Sequence, residues 1–470
     1  MSSFIVVALA LVAAQAQTQP QTPPAGQAPA APAPRPQAPP PAAQPAPPQA
    51  APAAEVITIQ DALRSASERN LDLKVLSAQL AQAEEISWKA WSGYLPRASL
   101  SGAWQAQKSQ VARFPRDFND PAAGTVPIEI QPGSVLQGQA EVSQAILSPA
   151  LIFGIRQATA AERAATLNIA NGRRSLLFGV AGTYYAAAAL KETVGVSVRL
   201  LEVAQRQEKD ARVRYQAGTI AKVGLLRAEI DRARAEQDLK RARNSYESQR
   251  LALATLLDRD TSFDVTPPPP PPLAADPNPD ELVKLALDLR LDVKAARADI
   301  DAAHAFRNGA AARYLPNVGA FARYSRRDAA GALGGGEDWA AGLALTWSIL
   351  DGGLRESDIR EGNARIAQAD AAARLTEARA RQEVVQALID LDSARANIAK
   401  AREQRDLAAE NSRLVDVSYR AGAATAVELA DATAALRTAE IGVVTEQLNA
   451  QLAALRVLLA VGEFDPEAKR

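Results

Sequence analysis

Glu428 and Asp431 stand three residues apart in the stretch "SYRAGAATAVELADAT". Acids at that spacing share one face of a helix. Such a pair can attract cations, and repulsion within a ring of such pairs raises some of their pKa values. The same pair also suits a solvated acidic helix start, which the helix dipole favours. Tyr419 and Gly422 precede these acids. Tyr215 and Gly218 stand in the same relation in the first half of the chain, in "RYQAGTIAKVGLL". There Gly224 answers to Glu428 and Arg227 to Asp431. Little else in the chain suits chemistry. It has no Cys and a single His, His304, in a helix of Ala and Asp. Disulfides, thiolate metal sites and a Cys nucleophile are therefore excluded. The glycines of "GGGEDW" at 334–339 lack the Lys-Ser/Thr that completes a phosphate loop. No catalytic residue, cofactor or metal site is expected. Lys+Arg and Asp+Glu balance at 53 each, so net charge gives no sign of nucleic acid.

The elements that position these residues come in two copies. Tyr94-Leu95-Pro96 and Tyr314-Leu315-Pro316 fall at one constant offset, and Leu71, Asp72 and Lys74 match Leu291, Asp292 and Lys294 at the same offset. An ungapped internal match marks a repeat. Each Tyr-Leu-Pro follows a helical seam, through Leu73, Leu76, Leu80 and Ala83 or through Val293, Ala296, Ile300 and Ala303. Pro96 and Pro316 stop these helices, because proline supplies no N–H and disfavours helix before it. Two short, partly alternating segments follow in each half. In "GLALTWSIL", Leu343, Leu345, Trp347 and Ile349 fall on one face, and Gly342, Ala344, Thr346 and Ser348 on the other. That pattern fits a wall with oil on one side and water on the other.

A long helical pattern comes next, uninterrupted by proline. In the second half it keeps a coiled-coil-like seam through Val384, Leu388, Leu391 and Ile398. Gly218 and Gly422 suit the positive-φ turn that ends such a helix. A last helix follows in each half, striped in the second by Leu448, Leu452, Leu455 and Leu459.

The expected organisation begins with a signal peptide at 1–16, whose apolar run is too short to span a bilayer and ends in Ala-Gln-Ala. A Pro/Ala-rich tether at 17–55 cannot bury a core. The first repeat spans 56–261, with strands near 97–107 and 135–147 and a long helix near 150–215. A proline-rich linker occupies 262–278. The second repeat spans 279–461, with strands near 317–327 and 339–350 and a long helix near 352–419, and a tail follows at 462–470. The fold class is mainly α with a membrane β-barrel part. Four strands cannot close a barrel, and an open edge in lipid leaves backbone groups unpaired. Three copies give twelve strands, continued by an α-helical barrel. Trp88, Trp91 and Tyr94 fit either a water–lipid boundary or core packing.

The residues resemble the TolC-like outer-membrane efflux proteins over about 56–461. The marks are "WSILDGGLRESDI", with Gly352 and Gly353 at the helix–strand junction, the duplicated "YLP" with Pro96 and Pro316, and "YRAGAATAVELADAT". The resemblance implies a homotrimer in the outer membrane of a Gram-negative cell, with a large periplasmic portion. It also implies a periplasmic adaptor and an inner-membrane pump as partners. It casts Glu428 and Asp431 as acids of the pore constriction and Tyr419 as part of the network that closes the tip. The pattern departs at Ala424, where well-known members have arginine, and at Gly224. Arg227 is a candidate to pair with Asp431 across subunits. The rival reading is a periplasmic or cell-wall-associated coiled-coil protein without channel activity.

Overall fold

The computed structural model describes residues 55–464, apart from 118, 121, 123, 132, 274–277 and 330–334. The expected signal peptide, and the tether up to residue 54, lie outside the described residues, as does the tail beyond Phe464. The first half runs β1 (Glu55–Ile57), α1 (Ile59–Arg69), α2 (Leu71–Trp91), β2 (Arg97–Ala106), β3 (Gln110–Pro115), β4 (Thr125–Gln131), β5 (Ser134–Leu147), α3 (Pro149–Gln216) and α4 (Lys222–Leu257). After β6 (Phe263–Val265), the second half runs α5 (Pro279–Leu289), α6 (Leu291–Ala312), β7 (Asn317–Ala329), β8 (Gly336–Thr346), α7 (Leu354–Arg420) and α8 (Ala426–Val461).

The long helices α3 and α7 have 68 and 67 residues, roughly 100 Å each at the usual helical rise. The shorter helices α2 and α4 both pack along α3, and α6 and α8 both pack along α7. Helix α6 also packs along α3, so it needs two contact stripes. The stripe expected through Val293, Ala296, Ile300 and Ala303 buries Val293 fully and leaves the other three half-buried. Ala295, Ala298 and Ala305 are buried besides. Alanine suits this position because a short side chain lets three helices approach one another. Gly362 of α7 marks the tightest point: an added Cβ would sit 2.6 Å from Cβ of Arg307.

A belt of packed residues surrounds the middle of the long helices. Strand β1 pairs in parallel with β6, which lies in the segment read from sequence as a linker. Ile57, Leu177, Leu253, Leu257, Phe263 and Val265 are buried there in one cluster. Tyr184 is fully buried at its centre. Its hydroxyl lies 2.9 Å from both Ile57 O and Thr266 O and accepts from Thr266 N at 3.2 Å. Burial pushes the Tyr185 phenol up to about 12. Beside it, Asp264 accepts from Lys191 Nζ at 2.6 Å and from the Tyr246 hydroxyl at 2.5 Å.

The main sheet is antiparallel in the order β2-β5-β7-β8. Among the described residues, strands β2 and β8 each have an unpaired edge. Strand β8 stops at Thr346, short of the expected 350. Thr346 pairs with Asn317, and Pro316 precedes that residue, so no strand remains to carry the ladder further. The loop between β2 and β5 holds a separate hairpin, β3–β4. Its short strands contain Pro115 and Pro127, which hide the strand pattern in the sequence. Among the described residues, no helix is long and apolar enough to cross a membrane.

Candidate functional site

At the far end of the long helices, the two hairpin tips share one turn. Gly218 has φ of +73° and Gly422 of +79°, a region that L side chains avoid. Val213 O accepts from Ala217 N, and Val417 O accepts from Ala421 N, both at 3.0 Å. Arg214 ties the tips together. Its Nη1 donates to Tyr419 O and its Nη2 to Arg420 O, both at 3.1 Å. The guanidinium also lies over the Tyr419 ring, 5.2 Å from its centroid. A cation thus covers the carbonyl end of α7, where the helix dipole favours it. Arg214 was not singled out in the sequence, since its partners are backbone carbonyls about two hundred residues away.

The tips differ in how the returning helix begins. Thr425 and Glu428 form a capping box at the start of α8. Glu428 Oε2 accepts from Thr425 N at 2.7 Å and from the Thr425 hydroxyl at 3.0 Å. These hydrogen bonds from the Thr425 amide and hydroxyl hold the Glu428 carboxyl below its ordinary range. Of the two roles open to Glu428 in the sequence, the protomer shows the helix-start role, and Thr-x-x-Glu was the signal for it. Asp431, one turn on, is exposed. Helix α4 begins with Ala221 at its N-cap and no side-chain hydrogen bond there, with Gly224 in place of an acid. Arg227 is exposed and sits near Asp231, whose carboxyl burial raises despite that charge.

The main sheet forms a second region with two unlike faces. Register places Leu100 and Trp104 of β2 level with Ala140 and Leu136 of β5. Val142 lies opposite Ala322, and Ala140 opposite Tyr324. Tyr324, Ala320 and Val318 of β7 lie opposite Trp339, Leu343 and Leu345 of β8. These residues make one continuous apolar face, and Leu100 (86%), Trp339 (76%) and Leu343 (73%) are open to the surroundings. The other face carries Ser99, Ser101 and Gln105, then Gln137, Gln139, Glu141 and Ser143, then Arg323, Ser325 and Asp338. The four strands have 10, 14, 13 and 11 residues, enough to cross a hydrocarbon layer when tilted.

The junction between sheet and helices is duplicated. Tyr94 N bonds Trp91 O, and Tyr314 N bonds Ala311 O, so both Tyr-Leu-Pro segments make the same turn before Pro96 and Pro316. Gln144 donates to Tyr94 O at 3.3 Å, and Trp347 Nε1 donates to Tyr314 O at 3.1 Å. In the second copy Gly352 and Gly353 have φ of +70° and +87° and lead into α7. Arg355 is buried there. It donates to Ser348 O at 2.9 Å and Ile349 O at 2.8 Å, and its guanidinium lies 4.4 Å from the Tyr314 ring centroid. Its Nε lies 2.9 Å from Asp351 Oδ2 as a charge contact rather than an aligned hydrogen bond. Trp88 and Trp91 are 60% and 52% exposed, which removes core packing within the protomer as their role.

A hairpin-tipped helical column joined to a two-faced, four-stranded antiparallel sheet defines the class: a mainly helical protomer with a single main sheet at one end. Comparison with known proteins agrees. Residues 282–463 match the family model described as Outer membrane efflux protein, so the likeness to the outer-membrane efflux proteins read in the duplicated motifs holds. The Outer membrane efflux protein BepC of Brucella suis biovar 1 (strain 1330) is 22% identical over 412 residues, 87% of this chain and 86% of the relative. Among solved structures, the outer membrane protein VceC from Vibrio cholerae aligns with a TM-score of 0.69 at 20% identity, over 86% of this chain and 96% of that one. The MtrE outer membrane channel of Neisseria gonorrhoeae, in its open state, aligns with a TM-score of 0.66 at 20% identity, over 86% and 88%.

Proposed function

We propose that this chain is one subunit of a passive outer-membrane conduit that carries small molecules or proteins from periplasm to exterior. Three copies join their sheets edge to edge, β8 of one beside β2 of the next, into a twelve-stranded barrel. Their helices continue it as a tunnel in the periplasm, gated at the hairpin tips around Tyr419, Glu428, Asp431 and Arg227. A periplasmic adaptor and an inner-membrane pump supply the energy, as in a tripartite efflux or type I secretion system. The observation that carries this reading is the open four-stranded sheet: apolar on one face, polar on the other, and unpaired at both edges. In hydrocarbon each unpaired backbone group costs several kcal/mol, so only closure makes the sheet stable there.

The natural chain has no Cys, so introduced thiols report cleanly. Ala103→Cys is combined in turn with Ala340→Cys, Gly342→Cys and Ala344→Cys. One register should give trimers on oxidation of the membrane fraction. Monomers in every register, recovered from the soluble periplasm, would overturn the conduit and favour the coiled-coil alternative.

A further inference from the structure

A cavity of ≈ 470 Å³ opens at the level of the belt, where α6 begins and α8 ends between the two long helices. Its apolar walls include Leu291, Ala387, Leu459 and Phe464. Four arginines line it: Arg174, Arg290, Arg379 and Arg456. Two of them are engaged. Arg174 donates to Gly462 O at 3.1 Å. Arg290 holds Glu383 at 2.6 Å, Asp292 at 2.7 Å and Ala460 O at 3.2 Å. The cavity's acids are engaged as well, Glu383 by Arg290 and Asp390 by Gln386 at 2.9 Å. Arg379 and Arg456, both exposed, have no hydrogen-bond or ion-pair partner among the described residues.

We infer that this cavity binds a small organic anion, a carboxylate or phosphate head on an apolar body. The two free guanidiniums present forked donors that match such a head, while the apolar walls take the body. The inference stands apart from the conduit reading, because the arginines and the apolar walls it uses all come from one protomer.

The test titrates the purified full-length assembly, in neutral detergent, with 2-naphthoate and with the matched neutral 2-naphthamide. Naphthoate should bind saturably and at least about tenfold more tightly than the amide, the usual scale for a charge-assisted hydrogen bond. Arg379→Gln combined with Arg456→Gln should abolish that difference, and the Lys pair at the same positions should restore part of it. Residues 465–470 follow Phe464 directly, so a chain lacking them is titrated too, and its affinity should stay within about threefold. Equal binding of acid and amide, or indifference to the double substitution, overturns the inference. So does an affinity that rises about tenfold on removing 465–470, since the chain's own tail is then the occupant. If the double Gln variant loses its native oligomer, each single Gln variant is read by the same criterion.

Discussion

Arg214 and Arg355 do the same physical work at opposite ends of the long helices. Each brings a guanidinium to two successive backbone carbonyls at the end of a helix or strand, and each lies over a tyrosine ring. Arg355 is buried, so its loss leaves Ser348 O and Ile349 O without the guanidinium and Asp351 with only the backbone N–H of residue 355, at 3.3 Å. Arg355→Ala should cost about 2–4 kcal/mol, read as a lowered thermal midpoint. Arg355→Lys should recover only part, because an ammonium cannot span both carbonyls. Arg214 sits at the exposed tip, and its effect belongs to local dynamics. Arg214→Ala should speed amide exchange from about 418 to 422 without a large shift in the global midpoint. Thr425→Ala should loosen the start of α8 by about 1 kcal/mol. Asp431→Asn should lower cation selectivity in planar-bilayer conductance, while Glu428, bound in its cap, gives a mixed result. Neither arginine was legible in the sequence, because a carbonyl acceptor has no residue type. The paired glycines and Tyr-Leu-Pro turns were legible, because each acts on the backbone beside it.

At the scale of elements, legibility followed length and neighbours. The strand pattern of β8 reads directly, since Leu343 and Leu345 alternate with small residues. The pattern of β2 and β5 is broken by Gly102 and Gly138, which face each other in the register, and it becomes regular only once the pairing is known. Strands β1 and β6 have three residues each, too few for any period to show. The belt they form depends on long-range partners instead. Tyr184 has one proton to give and two carbonyls within 2.9 Å. Tyr184→Phe should cost about 1–3 kcal/mol by removing that buried donor from Thr266 O and weakening the bonding at Ile57 O. Its check is a chemical unfolding midpoint.

At the scale of the whole molecule, the motifs written twice in the sequence explain why the element order could be anticipated from one chain, and the open sheet is what the proposed three-copy closure would complete. The belt also gives the molecule a pH response. Burial raises the Asp264 carboxyl, but hydrogen bonds from Lys191 and Tyr246 outweigh it and hold the group below its ordinary value. A depressed carboxyl stabilises the fold above that ordinary value and stops doing so as pH falls through the depressed one. Asp264→Asn should therefore lower the thermal midpoint at pH 7, and the gap to the natural chain should close on acidification below about pH 4.

In the proposed conduit, the unequal beginnings of α4 and α8 would give teeth of two kinds. Around a three-copy ring, six points would alternate, each pinned by Thr425 and Glu428 beside one that starts bare at Ala221. Any opening stroke would then begin at the three bare points and propagate to their fastened neighbours, so that the aperture widens first with triangular outline.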